Sequence, residues 1–156
     1  MRIRVLMPGK PRGALVQPLC DDYAARCRRM GTPFEFVFVR EQKEGAGSAA
    51  ADLSREASAL CQHVPANHRL VALTERGTAL DSAAFAATLT RLCPSRDAGV
   101  AFVLGSARGL CPDLLARADA RIALSPLTLP HDLALLVLCE QLYRALTIHA
   151  GLPYHR

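Results

Sequence analysis

Apolar positions along the chain switch repeatedly between a two-residue and a three-to-four-residue period, and each switch marks a change of element. Arg2–Met7 is a β-branched and apolar run closed by Pro8-Gly9, the pattern of a short strand ended by a turn. From Ala14 to Met30, the residues Leu15, Leu19, Tyr23 and Cys27 recur every four positions, which predicts an amphipathic helix carrying them on its apolar face. Arg26, Arg28 and Arg29 fall near its end, where the helix dipole favours cations, and Gly31 stops it. Phe34–Arg40 predicts a second strand, Glu41–Gly47 a polar loop, and Ser48–His63 a second helix. Arg69–Leu73 predicts a third strand, and Asp81 is placed to cap a helix through Leu92, followed by Pro94. Gly99–Leu104 contains no polar residue, as expected of a strand covered on both faces. The loop Gly105–Gly109, a short helix at Pro112–Ala118 and a short strand at Arg121–Leu124 follow. Beyond Ser125–Pro130, a long helix extends from about His131 to His149.

Strands alternating with helices imply an α/β fold, a mostly parallel sheet with helices on both faces. A length of 156 residues suits one domain over 1–156, and no repeat, low-complexity segment or linker divides it. The most apolar stretch, Leu133–Leu142, contains Glu140 and Gln141 and is too short to span a membrane. The last helix carries Leu133, Leu135, Leu136, Val137, Leu138, Leu142, Tyr143, Leu146 and Ile148 on nearly every side. Such a helix is either deeply buried or shared with a partner chain, and in so small a domain a homodimer is expected.

Charge adds a partner class without changing the fold. The formal net charge is +5, and Lys10 and Lys43 are the only lysines, so arginine supplies the excess. Arginine suits bidentate phosphate contact, and a nucleic-acid partner is compatible with this balance; genomic codon bias would produce it equally well. Arg26, Arg28 and Arg29 are either a solvated face or phosphate contacts. The six cysteines Cys20, Cys27, Cys61, Cys93, Cys111 and Cys139 are scattered, with no C-x-x-C pair and no histidine at zinc-finger spacing. No metal site is expected. With an N-terminus that reads as a strand rather than a signal peptide, buried free thiols in the cytoplasm are the expectation.

Open α/β sheets bind ligands outside the carboxyl ends of their strands. Three loops qualify: Thr74–Ala79, Gly105–Gly109 and Ser125–Pro130. The second follows a buried strand and precedes a helix, so its glycines would allow close backbone approach to a ligand. It is neither G-x-G-x-x-G nor a P-loop, and an ordinary strand-to-helix turn would look much the same.

The segments Leu104-Gly105-Ser106-Ala107-Arg108-Gly109-Leu110, Leu124-Ser125-Pro126-Leu127-Thr128-Leu129-Pro130-His131, Glu140-Gln141-Leu142-Tyr143-Arg144-Ala145 and Leu152-Pro153-Tyr154-His155-Arg156 occur in that order. Together they resemble the bacterial ribosomal RNA large subunit methyltransferase H family, a minimal group of SPOUT methyltransferases. Leu73-Thr74-Glu75-Arg76-Gly77 resembles the family's Leu-Asp-Glu-Arg-Gly segment more loosely. The resemblance implies a SPOUT-type α/β knot, with a C-terminal trefoil knot that binds S-adenosyl-L-methionine, in a homodimer. It implies methyl transfer to N3 of a pseudouridine in large-subunit (23S) ribosomal RNA. By matching positions, Leu73, Gly105, Ser125, Pro126, Leu127, Thr128, Leu129 and Pro130 would hold the cofactor. His131, Arg144, Tyr154, His155 and Arg156 would line the catalytic, RNA-facing site, some from the partner subunit. A non-catalytic RNA-binding dimer of the same fold, or a SPOUT enzyme with another RNA target, stays open.

Three positions depart from the family pattern. Ser106 replaces the second of two adjacent glycines, Arg108 replaces an acid, and Thr74 replaces an aspartate. Serine matters at 106 only if the backbone needs positive φ or has no room for a Cβ. Two cations about 6 Å apart repel by roughly 3 kcal/mol at an effective dielectric of about 20, so an inward Arg108 would disfavour a sulfonium and an outward one would not.

Overall fold

A computed structural model describes residues 1–41 and 48–155. Its elements in chain order are β1 (Arg2–Pro8), α1 (Val16–Arg29), β2 (Phe34–Val39), α2 (Ala49–Gln62), β3 (His68–Ala79), α3 (Ser82–Leu92), β4 (Gly99–Leu104), α4 (Pro112–Arg117), β5 (Ala120–Ala123) and α5 (His131–His149), closed by a 3-10 turn at Pro153–His155. The strands form one sheet in the order β2-β1-β4-β3-β5, and every neighbouring pair is parallel.

The two-residue alternation of the strands separates two apolar layers. Ile3, Val5, Met7, Val71, Val100, Phe102 and Leu104 share one cluster with residues of α1, α3 and α5. Leu6, Leu70, Ala72, Ala101 and Val103 point the other way and pack with Ala57 and Leu60 of α2 and Leu114 of α4. β4 is buried along its whole length because it is central and covered on both faces.

α1 and α5 lie side by side, running in the same direction. Asp132 accepts hydrogen bonds from the backbone N–H groups of Arg12 (3.0 Å) and Gly13 (2.9 Å), tying the start of α5 to the loop before α1. Farther along, the rings of Tyr23 and Tyr143 stand 6.1 Å apart. His149 at the end of α5 bonds Thr90 of α3 (2.8 Å), which fixes the other flank.

Two expectations need correction. The buried face of α1 is Cys20, Ala24 and Cys27, while Leu15 is 76% and Leu19 48% exposed. A strict four-residue spacing drifts about 40° per step around a helix of 3.6 residues per turn, so a stripe through Leu15 and Cys27 cannot stay on one side. Thr74–Ala79 is not a loop but the second half of β3, whose pairing with β5 slips between Leu73 and Thr78. Gly77 permits this, since a Cβ there would stand 2.5 Å from the backbone carbon of Ile122. Within the expected polar loop Glu41–Gly47, residues 42–47 lie outside the described residues, and so does Arg156.

α5 is half enclosed. Leu135, Leu138, Cys139, Leu142, Ala145, Leu146 and Thr147 are buried, whereas Leu133 is exposed and Leu136, Val137, Tyr143 and Ile148 are half-buried. Among the described residues, no helix is long and apolar enough to cross a membrane, and no group of histidine, cysteine and acidic residues is arranged to hold a metal.

Candidate functional site

The strands β4 and β5 end on either side of β3, and the slipped part of β3 and the segments beyond β4 and β5 enclose a cleft of about 640 Å³. Leu73, Thr74 and Glu75 line it from the slipped part of β3, Leu104–Leu110 from the turn after β4, and Leu124, Ser125 and Leu127–His131 from the segment before α5. That volume is in the range of pockets for small organic ligands, and a largely apolar wall with a few placed polar groups is the usual composition of one.

Local sequence explains each wall. Gly109 donates to the Ser106 carbonyl (2.8 Å) and has φ of 83°, so residues 106–109 fold back as a tight turn. Gly105 must lack a side chain because a Cβ would stand 2.5 Å from the carbonyl carbon and oxygen of Gly109. Ser106 is under no such constraint, since no residue other than glycine has positive φ among the described residues. The Cys111 thiol accepts from Leu114 N–H (3.4 Å) and, with Pro112 beginning α4, ends the turn. Ser125 Oγ accepts from Leu127 N–H (2.9 Å), which shapes the third wall.

Two polar atoms of the cleft are buried without a hydrogen-bond partner: Ser106 Oγ and His131 Nε2. Buried polar groups are ordinarily paired, and both of these orphans belong to residues that line the cleft.

Of the residues expected to hold a ligand, Leu73, Gly105, Ser125, Leu127, Thr128, Leu129 and Pro130 line the cleft, joined by His131; Pro126 is the one that does not. Arg144 and Tyr154 are elsewhere. Arg144 lies thirteen residues beyond His131 on α5, about 20 Å farther along the helix axis at 1.5 Å per residue. There the Arg144 guanidinium bonds Glu140 Oε1 at 2.5 Å and sits 4.9 Å from the Tyr154 ring centroid. Tyr154 donates to the same oxygen (3.3 Å) and meets Tyr143 edge-on at 4.8 Å. The Glu140 bond raises the Arg144 pKa; burial, then Tyr23 and Glu140, raise that of Tyr154, so its phenol stays neutral. Arg26 extends this cluster, paired with Asp22 at 2.6 Å and lying over Tyr23 and Tyr143. Arg28 instead donates to the Phe34 carbonyl (2.7 Å), a structural role at the start of β2. His155 ends the 3-10 turn.

Arg108 lines the cleft, yet its guanidinium is drawn toward α2, where Nη1 meets Asp52 (3.2 Å) and Nη2 meets Glu56 (3.4 Å). Sequence reasoning missed these two acids. Their i,i+4 spacing on α2 was visible, but it is also the spacing of any solvated helix face.

The chain matches the family described as predicted SPOUT methyltransferase over residues 1–155. It is 46% identical, over all of both chains, to a protein of Anaeromyxobacter dehalogenans named ribosomal RNA large subunit methyltransferase H. It is 40% identical over the whole of both chains to one of Gemmatimonas aurantiaca with the same name. Among solved structures, a probable methyltransferase from Bordetella pertussis superposes with a TM-score of 0.58 over 93% of this chain and 94% of its own, at 23% identity.

Proposed function

The chain belongs to the SPOUT methyltransferase family, and from that premise we propose that it methylates large-subunit ribosomal RNA, at N3 of a pseudouridine, with S-adenosylmethionine as donor. One observation carries the reading: the slipped part of β3 and the segments after β4 and β5 converge on a single cleft whose lining residues include two with an unpaired polar atom. The relatives named for ribosomal RNA methylation supply the substrate class.

The residues present fit the cofactor. Leu73, Gly105, Ser125 and Leu127–Pro130 would hold it, with Pro126 setting the course of the third wall. Ser106 Oγ and His131 Nε2 offer hydrogen bonds that no protein group satisfies. When bound, S-adenosylmethionine supplies a methyl group already activated by its sulfonium. The protein's part is to align the nucleobase nitrogen and to favour loss of its imino proton, and alignment accounts for much of the rate. His131 stands at the cleft to hold that proton, and a nearby cation stabilises the deprotonated base.

Those cations are supplied by a second copy of the chain. Leu15 just before α1, Leu19 on it, and Leu133, Leu136 and Val137 of α5 leave an apolar surface near the cleft, which continues past Glu140 to Tyr23, Arg26, Arg144 and Tyr154. A two-fold axis through this face and perpendicular to α5 would set each end against the opposite end of its partner. The Arg144–Tyr154 cluster of one subunit then approaches the cleft of the other, with His155 and Arg156 following it. The threaded C-terminus of the family belongs to this same proposal.

Calorimetry with S-adenosylmethionine tests cofactor use, and methylation of ribosomal subunits lacking the modification, read by mass mapping of nucleosides, tests the target. No heat of binding at millimolar cofactor removes the enzyme and leaves an RNA-binding dimer. Methyl transfer to another nucleoside keeps the enzyme and replaces the target.

A further inference from the structure

Four charges meet where the Ser106–Gly109 turn touches α2. Asp52 bridges two arginines, bonding Arg55 through Oδ1 at 2.6 Å and Arg108 through Oδ2 at 3.2 Å. Glu56 meets the same Arg108 guanidinium at 3.4 Å. The acid side chains are only 5% and 3% exposed, so their polar contacts are made with these partners rather than with water. Glu56 also borders a narrow crevice whose other wall is Gly105 and Gly109. Among the described residues, the one arginine lining the cleft therefore stands beside two buried acids.

We propose that Asp52 and Glu56 are positioning residues that hold Arg108 toward α2 and cancel its charge, so setting the cleft's preference for a cationic over a neutral ligand. This rests on the cofactor reading above and adds a specific electrostatic role for α2. A cation left uncompensated in the cleft wall would repel a sulfonium and leave a neutral thioether nearly unaffected. For unit charges on the order of 10 Å apart, effective dielectrics between about 20 and 80 correspond to about a two- to fifteenfold change in affinity.

The test compares S-adenosylmethionine with S-adenosylhomocysteine, the same molecule without the methyl group and its charge, by calorimetry on each variant. Glu56→Gln and Asp52→Asn keep side-chain volume while deleting one negative charge. Each should lower the preference for S-adenosylmethionine by about two- to fifteenfold, with S-adenosylhomocysteine affinity changing less than about twofold. Arg108→Gln should raise the preference, and the double variant Glu56→Gln with Arg108→Gln should return it toward the wild-type value. Both ligands are measured on the same sample, so a partly unfolded variant alters stoichiometry and not the ratio. A parallel weakening of both ligands, or a ratio that stays fixed, overturns the proposal and reduces the acids to braces of the turn. Wild-type protein that binds neither ligand overturns the cofactor reading as well.

Discussion

Gly105 and Gly109 approach each other more closely than any side chain permits, because a Cβ on Gly105 would stand 2.5 Å from the Gly109 carbonyl carbon. The contact folds the turn after β4 back on itself and forms one wall of the cleft. Gly105→Ala should open the turn, at a stability loss of about 1–3 kcal/mol from overpacking. Cofactor affinity should fall with it. Gly109→Ala differs in kind: nothing lies within 4 Å of its Cβ, and the only cost is positive φ, about 1–2 kcal/mol. Thermal unfolding and calorimetry on the two variants separate the effects. Cofactor affinity unchanged in Gly105→Ala would show that the turn does not shape the site.

The cluster of Arg144, Tyr154 and Glu140 carries a second expectation. Tyr154→Phe removes the phenol's bond to Glu140 but keeps the ring over Arg144, so stability should fall by only about 0.5–1.5 kcal/mol. Deleting Tyr154–Arg156 removes the platform itself. If that cluster serves the partner's cleft, methyl transfer should drop at least about a hundredfold while cofactor binding and the dimer persist. Full activity in the truncated protein would place catalysis elsewhere.

The sheet was legible because its strands obey simple rules. An unbroken apolar run at Gly99–Leu104 belongs in a sheet centre, and there it lies. The long helix and the Asp81 cap followed from periodicity and capping chemistry, and Asp81 does accept from Ala84 N–H at 2.7 Å. Leu15 and Leu19 misled, since apolar residues on a helix look alike whether they face a core or an open surface. Most of the cleft wall was legible through the resemblance, and its convergence could be expected from the strand ends. Arg108 was not: its direction is decided by Asp52 and Glu56, which precede it by 56 and 52 positions and meet it only once α2 has packed on the sheet. The slip of β3 at Leu73–Thr78 was equally hidden, because it depends on how closely Gly77 can approach Ile122.

Cysteine reactivity offers a check on the fold independent of any ligand. All six thiols are free; five are buried and Cys61 is half-buried. Burial pushes the Cys27 pKa up to about 12, and the Cys20 contact together with burial drives that of Cys139 up strongly, so neither supplies thiolate at neutral pH. A thiol-specific reagent should therefore label one site quickly in the folded protein and the rest only on unfolding. Cys61→Ser should abolish the fast phase. Several fast thiols would contradict the described packing.

His68 sets an acid limit on stability. Its ring lies against Gly99, where a Cβ would meet imidazole atoms at 2.4 Å, and its Nδ1 pairs with Asn67 Oδ1 at 2.9 Å. Burial first, then the charges of Arg4 and Arg2, lower its pKa from the ordinary 6.5, with Glu35 opposing. A lowered folded value means the unfolded chain takes up the proton first. The contribution is complete above about pH 6.5, shrinks as pH falls below it, and is lost once pH passes the folded value. Denaturant midpoints at pH 7.5 and pH 5 should therefore differ more in the wild type than in His68→Gln, the carboxylates contributing equally to both. Equal differences in the two proteins would mean that the imidazole titrates alike in the folded and unfolded chains.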